Sequence, residues 1–101
     1  FYQKSDYHVV MTHCPQHRDI IKTQMKDIPI DLILSGHTHG GQLNLFGFAP
    51  FRPYGSGKYV SGWYREELPH LYVSRGIGTS GIPIRLGSRA EVTVFNFERR
   101  V

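Results

Sequence analysis

The chain has 101 residues, of which 40% are hydrophobic and 20% charged; that is enough apolar content for one small globular domain with a modest buried fraction, and it excludes a disordered tail. Twelve Lys and Arg against eight Asp and Glu give a formal charge of +4, which suits anionic partners in general, but the basic residues are scattered and form no stripe interleaved with stacking aromatics, so nucleic acid is not expected as a partner. A single cysteine excludes an internal disulfide, and no apolar run approaches the ~20 residues that span a bilayer.

Residues 6–12 read as a strand with apolar side chains on both faces, as in a sheet covered on each side. His8 inside it reads as a packed or edge histidine. The run stops at Thr12-His13-Cys14-Pro15, where the proline forbids continuation. That places His13 at a strand end. Cys14 beside it reads as a small packing residue rather than a metal ligand or a thiolate nucleophile, since nothing else in the chain argues for acyl chemistry.

Residues 16–25 turn helical, with Ile20, Ile21 and Met25 on one stripe and His17, Lys22 and Gln24 toward solvent. Pro29 closes that segment. Residues 30–34, Ile-Asp-Leu-Ile-Leu, read as a buried strand leading into Ser35-Gly36-His37-Thr38-His39-Gly40-Gly41-Gln42. On extended backbone a His-x-His pair points both rings to one side, and the three glycines allow a tight turn and close approach to a ligand. Neutral imidazole is the commonest protein metal ligand. A strand, crossover helix and strand in one sheet bring both strand ends to the same edge, so His13, His37 and His39 are expected to converge there.

Residues 43–47 read as a short strand and turn, and 48–64 as a loop rich in Pro, Gly and aromatics. A loop of that length inside a compact domain is usually functional or disordered. Arg52, Tyr54, Lys58, Tyr59, Trp63 and Tyr64 either rim a phosphate-ester cleft or pin the loop to the body. His70, after Pro69, reads as exposed. Strand character resumes at 71–74 and leads into Arg75-Gly76-Ile77-Gly78-Thr79-Ser80-Gly81. A glycine-rich loop after a strand can present N–H groups to phosphate, yet neither a Walker lysine nor a dinucleotide fingerprint is present. The Arg75 guanidinium either binds a phosphate oxygen or sits on the surface. Residues 83–86 and 90–97 finish as strands joined by the Gly87-Ser88 turn.

The strand-end His13 followed by Gly36-His37-Thr38-His39-Gly40-Gly41-Gln42 and Ser74-Arg75-Gly76-Ile77-Gly78-Thr79 resembles the second half of the calcineurin-like metallophosphoesterases, in particular their YkuE-like and YaeI-like phosphodiesterase branch. The resemblance implies an α/β fold, the C-terminal half of a layered α/β/β/α sandwich with mixed sheets and few helices. Residues 1–101 would be the C-terminal part of one such domain. The family's first-half motifs, Asp-x-His, Gly-Asp and Gly-Asn-His, do not occur in the chain, and it begins at Phe1 without Met or a signal-like segment, so an upstream half is expected.

By the same resemblance, the full-length protein hydrolyses phosphoesters with two divalent ions, Mn, Fe or Zn, about 3.5–4 Å apart. His13 and His37 would hold one and His39 the other. Gly40, Gly41 and Gln42 would fix ring orientation, Arg75 is a substrate candidate, and no catalytic acid-base residue falls within this chain. The expected substrate is a small-molecule or lipid-linked phosphoester. The location is left open between cytoplasm and membrane periphery, and self-association of the isolated piece is expected. The rival reading is a non-catalytic phosphate- or nucleic-acid-binding module with at most one structural metal, whose further ligand would be Cys14 or Asp31.

Overall fold

The computed structural model describes residues 7–41, 44, 49, 54–79 and 84–99. Four short strands form one mixed sheet in the order β1-β2-β4-β3, where β1 is Val9–Thr12, β2 is Leu32–Ser35, β3 is Gly62–Tyr64 and β4 is His70–Val73. The pairs β1/β2 and β2/β4 are parallel, and β3 runs antiparallel to β4 at the edge. The helix α1, His17–Gln24, makes the crossover from β1 to β2. Thr12, Ser35 and Val73 lie side by side in register, so the residues that follow β1, β2 and β4 leave the sheet at one edge. Among the described residues no helix is long and apolar enough to cross a membrane.

Side chains alternate across a strand, and the two faces of this sheet differ. Val10, Ile33 and Leu71 are aligned on one face, where Ile33, Leu71 and Val73 pack with Tyr59 into a core joined by Ile21 of α1, Ile30 and Tyr64. On the other face Trp63, Tyr72 and Phe95 meet edge to face with centroids 5.0–5.9 Å apart, while Met11 on β1 remains 83% exposed. The expectation of apolar cover on both sides of the first strand therefore holds only for the helix side.

The α/β class with a mixed sheet and few helices is as expected, and the arrangement fits one part of a layered sandwich. Boundaries move by a residue or two: the ladder of β2 begins at Leu32 rather than residue 30 and extends to Ser35, and β4 begins at His70, which is half-buried rather than exposed. The edge strand β3 lies inside the stretch expected to be loop; it is three residues long and begins on Gly62, a residue that weakens strand character. Of the expected 43–47 element, only Asn44 is described, and its N–H donates to the Leu86 carbonyl at 2.7 Å. Residues 91–96 keep a strand's alternation of half-buried and exposed positions, but among the described residues they join no ladder. Pro83 and Arg52 lie outside the described residues.

The helix is held by a group that periodicity does not mark. Arg18 is fully buried. Its Nε donates to the Pro69 carbonyl at 2.8 Å, Nη2 to the Glu67 carbonyl at 2.9 Å, and Nη1 to Glu66 Oε1 at 2.9 Å and Tyr59 Oη at 3.3 Å. Burial opposes the charged form, but the hydrogen bonds and charges of Tyr59 and Glu66 outweigh it and raise the Arg18 pKa. Ile20 and Met25, placed on the expected apolar stripe, are 46% and 39% exposed.

Candidate metal centre

The strand ends of β1 and β2 carry His13 and His37, and a short chain of bonds fixes their spacing. Ser35 Oγ donates to the His13 carbonyl at 3.0 Å, tying the end of one strand to the start of the other's loop. The two imidazole rings stand with centroids 4.3 Å apart and planes inclined by 52°. Cys14 joins them: one ligand atom each from His13, Cys14 and His37 lie within 4.8 Å of one another. Neighbouring side chains on an extended strand point to opposite faces. His13 and Cys14 reach the same place because the chain bends at His13 and turns at Pro15.

The backbone of the His-x-His pair is not extended, in contrast to the expectation. His37 has φ 75° and His39 φ 51°, and His39–Gly41 form a single 3₁₀ turn in which Gly40 and Gly41 also have positive φ. A non-glycine residue in that region costs on the order of 1–3 kcal/mol and persists where the surroundings enforce it. Those surroundings are visible. His37 Nε2 lies 2.6 Å from the Tyr54 carbonyl; a carbonyl only accepts, so Nε2 is the donor, and in the neutral ring a metal needs, Nδ1 is the nitrogen with the lone pair. Carbonyl partners of this kind orient metal-binding histidines. Gly55 closes over Cys14 and His37, since a Cβ there would sit 2.8 Å from Cys14 Sγ and 3.6 Å from His37 Nε2.

His39 lies outside the His13, Cys14, His37 group. Its carbonyl accepts from Ser88 Oγ at 2.9 Å and Arg85 Nη1 at 3.4 Å. Arg85 also donates to the carbonyls of Arg75, Gly78 and Ser88 at 2.7–3.0 Å, so one guanidinium binds the glycine-rich loop to the His39 turn. Sequence reading passed over Arg85 and Ser88. The only signal was their place beside the Gly87 turn, because hydrogen bonding to distant carbonyls leaves no periodicity.

Arg75 leans across this turn: a Cβ on Gly40 would meet Arg75 Cγ at 2.8 Å, and Ser88 Oγ as well. Its Nε donates to the Arg89 carbonyl at 2.7 Å and stands 3.9 Å from Glu91 Oε1. Glu91 is the fixed point of the loop. It accepts from the Arg75 N–H at 2.8 Å, Tyr72 Oη at 2.5 Å and Thr93 Oγ1 at 2.7 Å. Burial would raise its pKa, but those hydrogen bonds hold it below the ordinary carboxylate range. Gln42 lies outside the described residues, while Gly41 is buried with its Cα facing Ala49.

The aromatic loop divides between its two expected roles. Tyr59 is buried in the core and its Oη donates to Asp19 Oδ1 at 2.5 Å, and Tyr64 Oη accepts from the Val60 N–H at 2.8 Å; both pin the loop. Tyr54 is 98% exposed next to His37. Trp63 stacks on the opposite face under Arg65, 4.0 Å from the ring centroid. Asp31 stands at the other end of β2, where its carboxylate accepts from the His8 N–H at 2.8 Å. It is therefore no ligand partner for His13, and of the two further ligands the rival reading offers, Cys14 is the one brought to the histidines.

The chain was compared with known proteins. No family model and no solved structure matches it. It is 43% identical over 74 residues to the uncharacterized metallophosphoesterase YkuE of Bacillus subtilis, a match covering 71% of this chain and 26% of the relative. It is 39% identical over 95 residues to metallophosphoesterase YkoQ of the same organism, covering 89% and 33%, and 42% identical over 88 residues to phosphodiesterase YaeI of Escherichia coli, covering 85% and 30%. The chain thus spans about a quarter to a third of the length of these relatives. Similarity at this level, over most of the chain and including the His37–Gly41 stretch on which the strand-end geometry turns, decides its kinship: the chain belongs to the metallophosphoesterase family, in the branch of YkuE, YkoQ and YaeI.

Proposed function

We propose that this chain is the C-terminal part of the single domain of a metal-dependent phosphoester hydrolase, and that it supplies histidine ligands to a dinuclear centre. One observation carries the reading: His13 and His37 leave adjacent parallel strands at the same edge with ring centroids 4.3 Å apart. The donor set suits a divalent cation, because each imidazole is neutral when it binds and the Tyr54 carbonyl holds His37 in the tautomer that leaves Nδ1 open. His13 and His37 hold one ion and His39 belongs to the other, in keeping with its separation from the first group. When bound, such ions lower the pKa of a coordinated water and stabilise charge on the phosphoryl oxygens. Mn, Fe and Zn are the candidate metals.

The chain's other residues shape the site. Gly40, Gly41 and Gln42 are assigned the part of fixing ring orientation, and Gly40 has no room for a side chain between Ser88 and Arg75. Arg75, laid across that turn, is the residue assigned to hold a nonbridging phosphate oxygen. The name of YaeI, a phosphodiesterase, supports a diester as the substrate class, small-molecule or lipid-linked. The general acid and the bridging carboxylate come from the remainder of the protein.

The test is hydrolysis of a chromogenic phosphodiester by the full-length protein supplied with Mn. Turnover falls to background in His37→Ala and His39→Ala, and equally in His37→Asn, whose side chain tolerates positive φ and so separates ligand loss from backbone strain. Circular dichroism and thermal midpoint stay near wild type. Wild-type turnover that survives exhaustive chelation would refute the reading.

A further inference from the structure

The histidines at the sheet edge have a sulfur neighbour that the family reading does not use. We infer that Cys14 is a metal ligand: with His13 and His37 it forms a three-donor N₂S set that selects a borderline-soft cation, Zn or Co, over Mn at that position. The inference rests on the proposed metal centre and adds to it the identity of a ligand and the class of metal.

Three observations carry it. First, His13, Cys14 and His37 each offer one ligand atom, all within 4.8 Å of one another, a span that a single ion can bridge with bonds of about 2.0–2.3 Å after small side-chain rotations. Second, the bend at His13 abolishes the alternation that would send Cys14 to the opposite face, so two consecutive residues serve one site. Third, the loop above the sulfur is cut to fit: Gly55 has φ 96°, and a Cβ there would lie 2.8 Å from Cys14 Sγ. The same loop supplies the Tyr54 carbonyl that orients His37 and is anchored by the Gln16 N–H, which donates to the Gly55 carbonyl at 3.0 Å. Cys14 is half-buried and takes part in no disulfide.

Thiolate donors favour Zn and Co, whereas Mn prefers oxygen ligands. On binding, the sulfur gives its proton to solvent and donates a lone pair to the metal. Metal choice at this position therefore follows Cys14, while His39, outside the group, leaves the preference of its own ion unchanged.

The experiment uses metal-free full-length protein titrated with Co(II), which reports sulfur ligation as a thiolate-to-cobalt charge-transfer band in the near ultraviolet. The wild type shows the band. Cys14→Ser and Cys14→Ala lose it while keeping the visible ligand-field bands, and their Zn affinity drops at least about tenfold, the loss usual when merely a ligand's hydrogen-bond partner is removed; Mn affinity falls by less than Zn affinity does. X-ray absorption of the wild-type Zn form supplies a readout free of any variant, with one sulfur neighbour at about 2.3 Å. Cobalt bands that depend on His37 but are the same with and without Cys14 overturn the inference and leave the histidine site standing. Bands indifferent to His37→Ala overturn both.

Discussion

Arg18, in the first turn of α1, and the His13, Cys14, His37 group, two of whose members lie on the connection that leads into that helix, both gather polar side chains. They are built in opposite ways. Every nitrogen of Arg18 meets an acceptor and the residue is fully buried, whereas at the strand ends three metal-capable side chains crowd together, His13 exposed and Cys14 and His37 half-buried, on backbone that includes a histidine at φ 75°. A buried charge with all its bonds made explains itself as structure. Lone pairs collected on strained backbone do not repay their cost by folding, and such violations of local rules concentrate at functional sites.

The comparison breaks most visibly at Arg18. Arg18→Ala leaves the Pro69 and Glu67 carbonyls without their donor and opens space beside Tyr59, so denaturant unfolding of the full-length protein shows a loss of about 3 kcal/mol. Metal content at saturating concentration remains that of the wild type. A variant of unchanged stability would show that Arg18 is not the anchor of α1.

A smaller effect separates the glycine-rich loop from the histidine edge. The Glu91 pKa is depressed in the folded state by Tyr72, the Arg75 N–H and Thr93, against the opposing effect of burial. A depressed carboxylate contributes stability that is present above its unfolded value, about 4.3, and that is lost as pH falls through the folded value. Acid unfolding curves of wild type and Glu91→Gln should therefore differ by about 1 kcal/mol at neutral pH and converge on acidification. Parallel curves at all pH would remove Glu91 from its role in fixing the Arg75 loop.

How much of this was legible in the sequence follows from which physics leaves a pattern. The parallel strands around a crossover helix were, because apolar runs ending at Pro15 and Gly36 mark strand ends, and the convergence of His13 with His37 follows from the hand of the crossover. The conformation of His37 and His39 was not, because it depends on the Tyr54, Ser88 and Arg85 contacts from residues distant in the chain. Arg18 was hidden for the same reason: its acceptors are carbonyls at Glu67 and Pro69, and a carbonyl is present at every residue. Cys14 reads as packing in the sequence because its neighbours there suggest no activating partner, while its neighbour in space is His37.

The central claim is that the strand-end histidines hold metal, and the most direct measurement is the metal content of the full-length protein after equilibrium dialysis against a divalent cation. The account predicts that wild type takes up two ions, that the double variant His13→Ala/His37→Ala loses one of them, and that His39→Ala loses the other. A double variant that retains the wild-type complement, with its fold intact by circular dichroism, would contradict it.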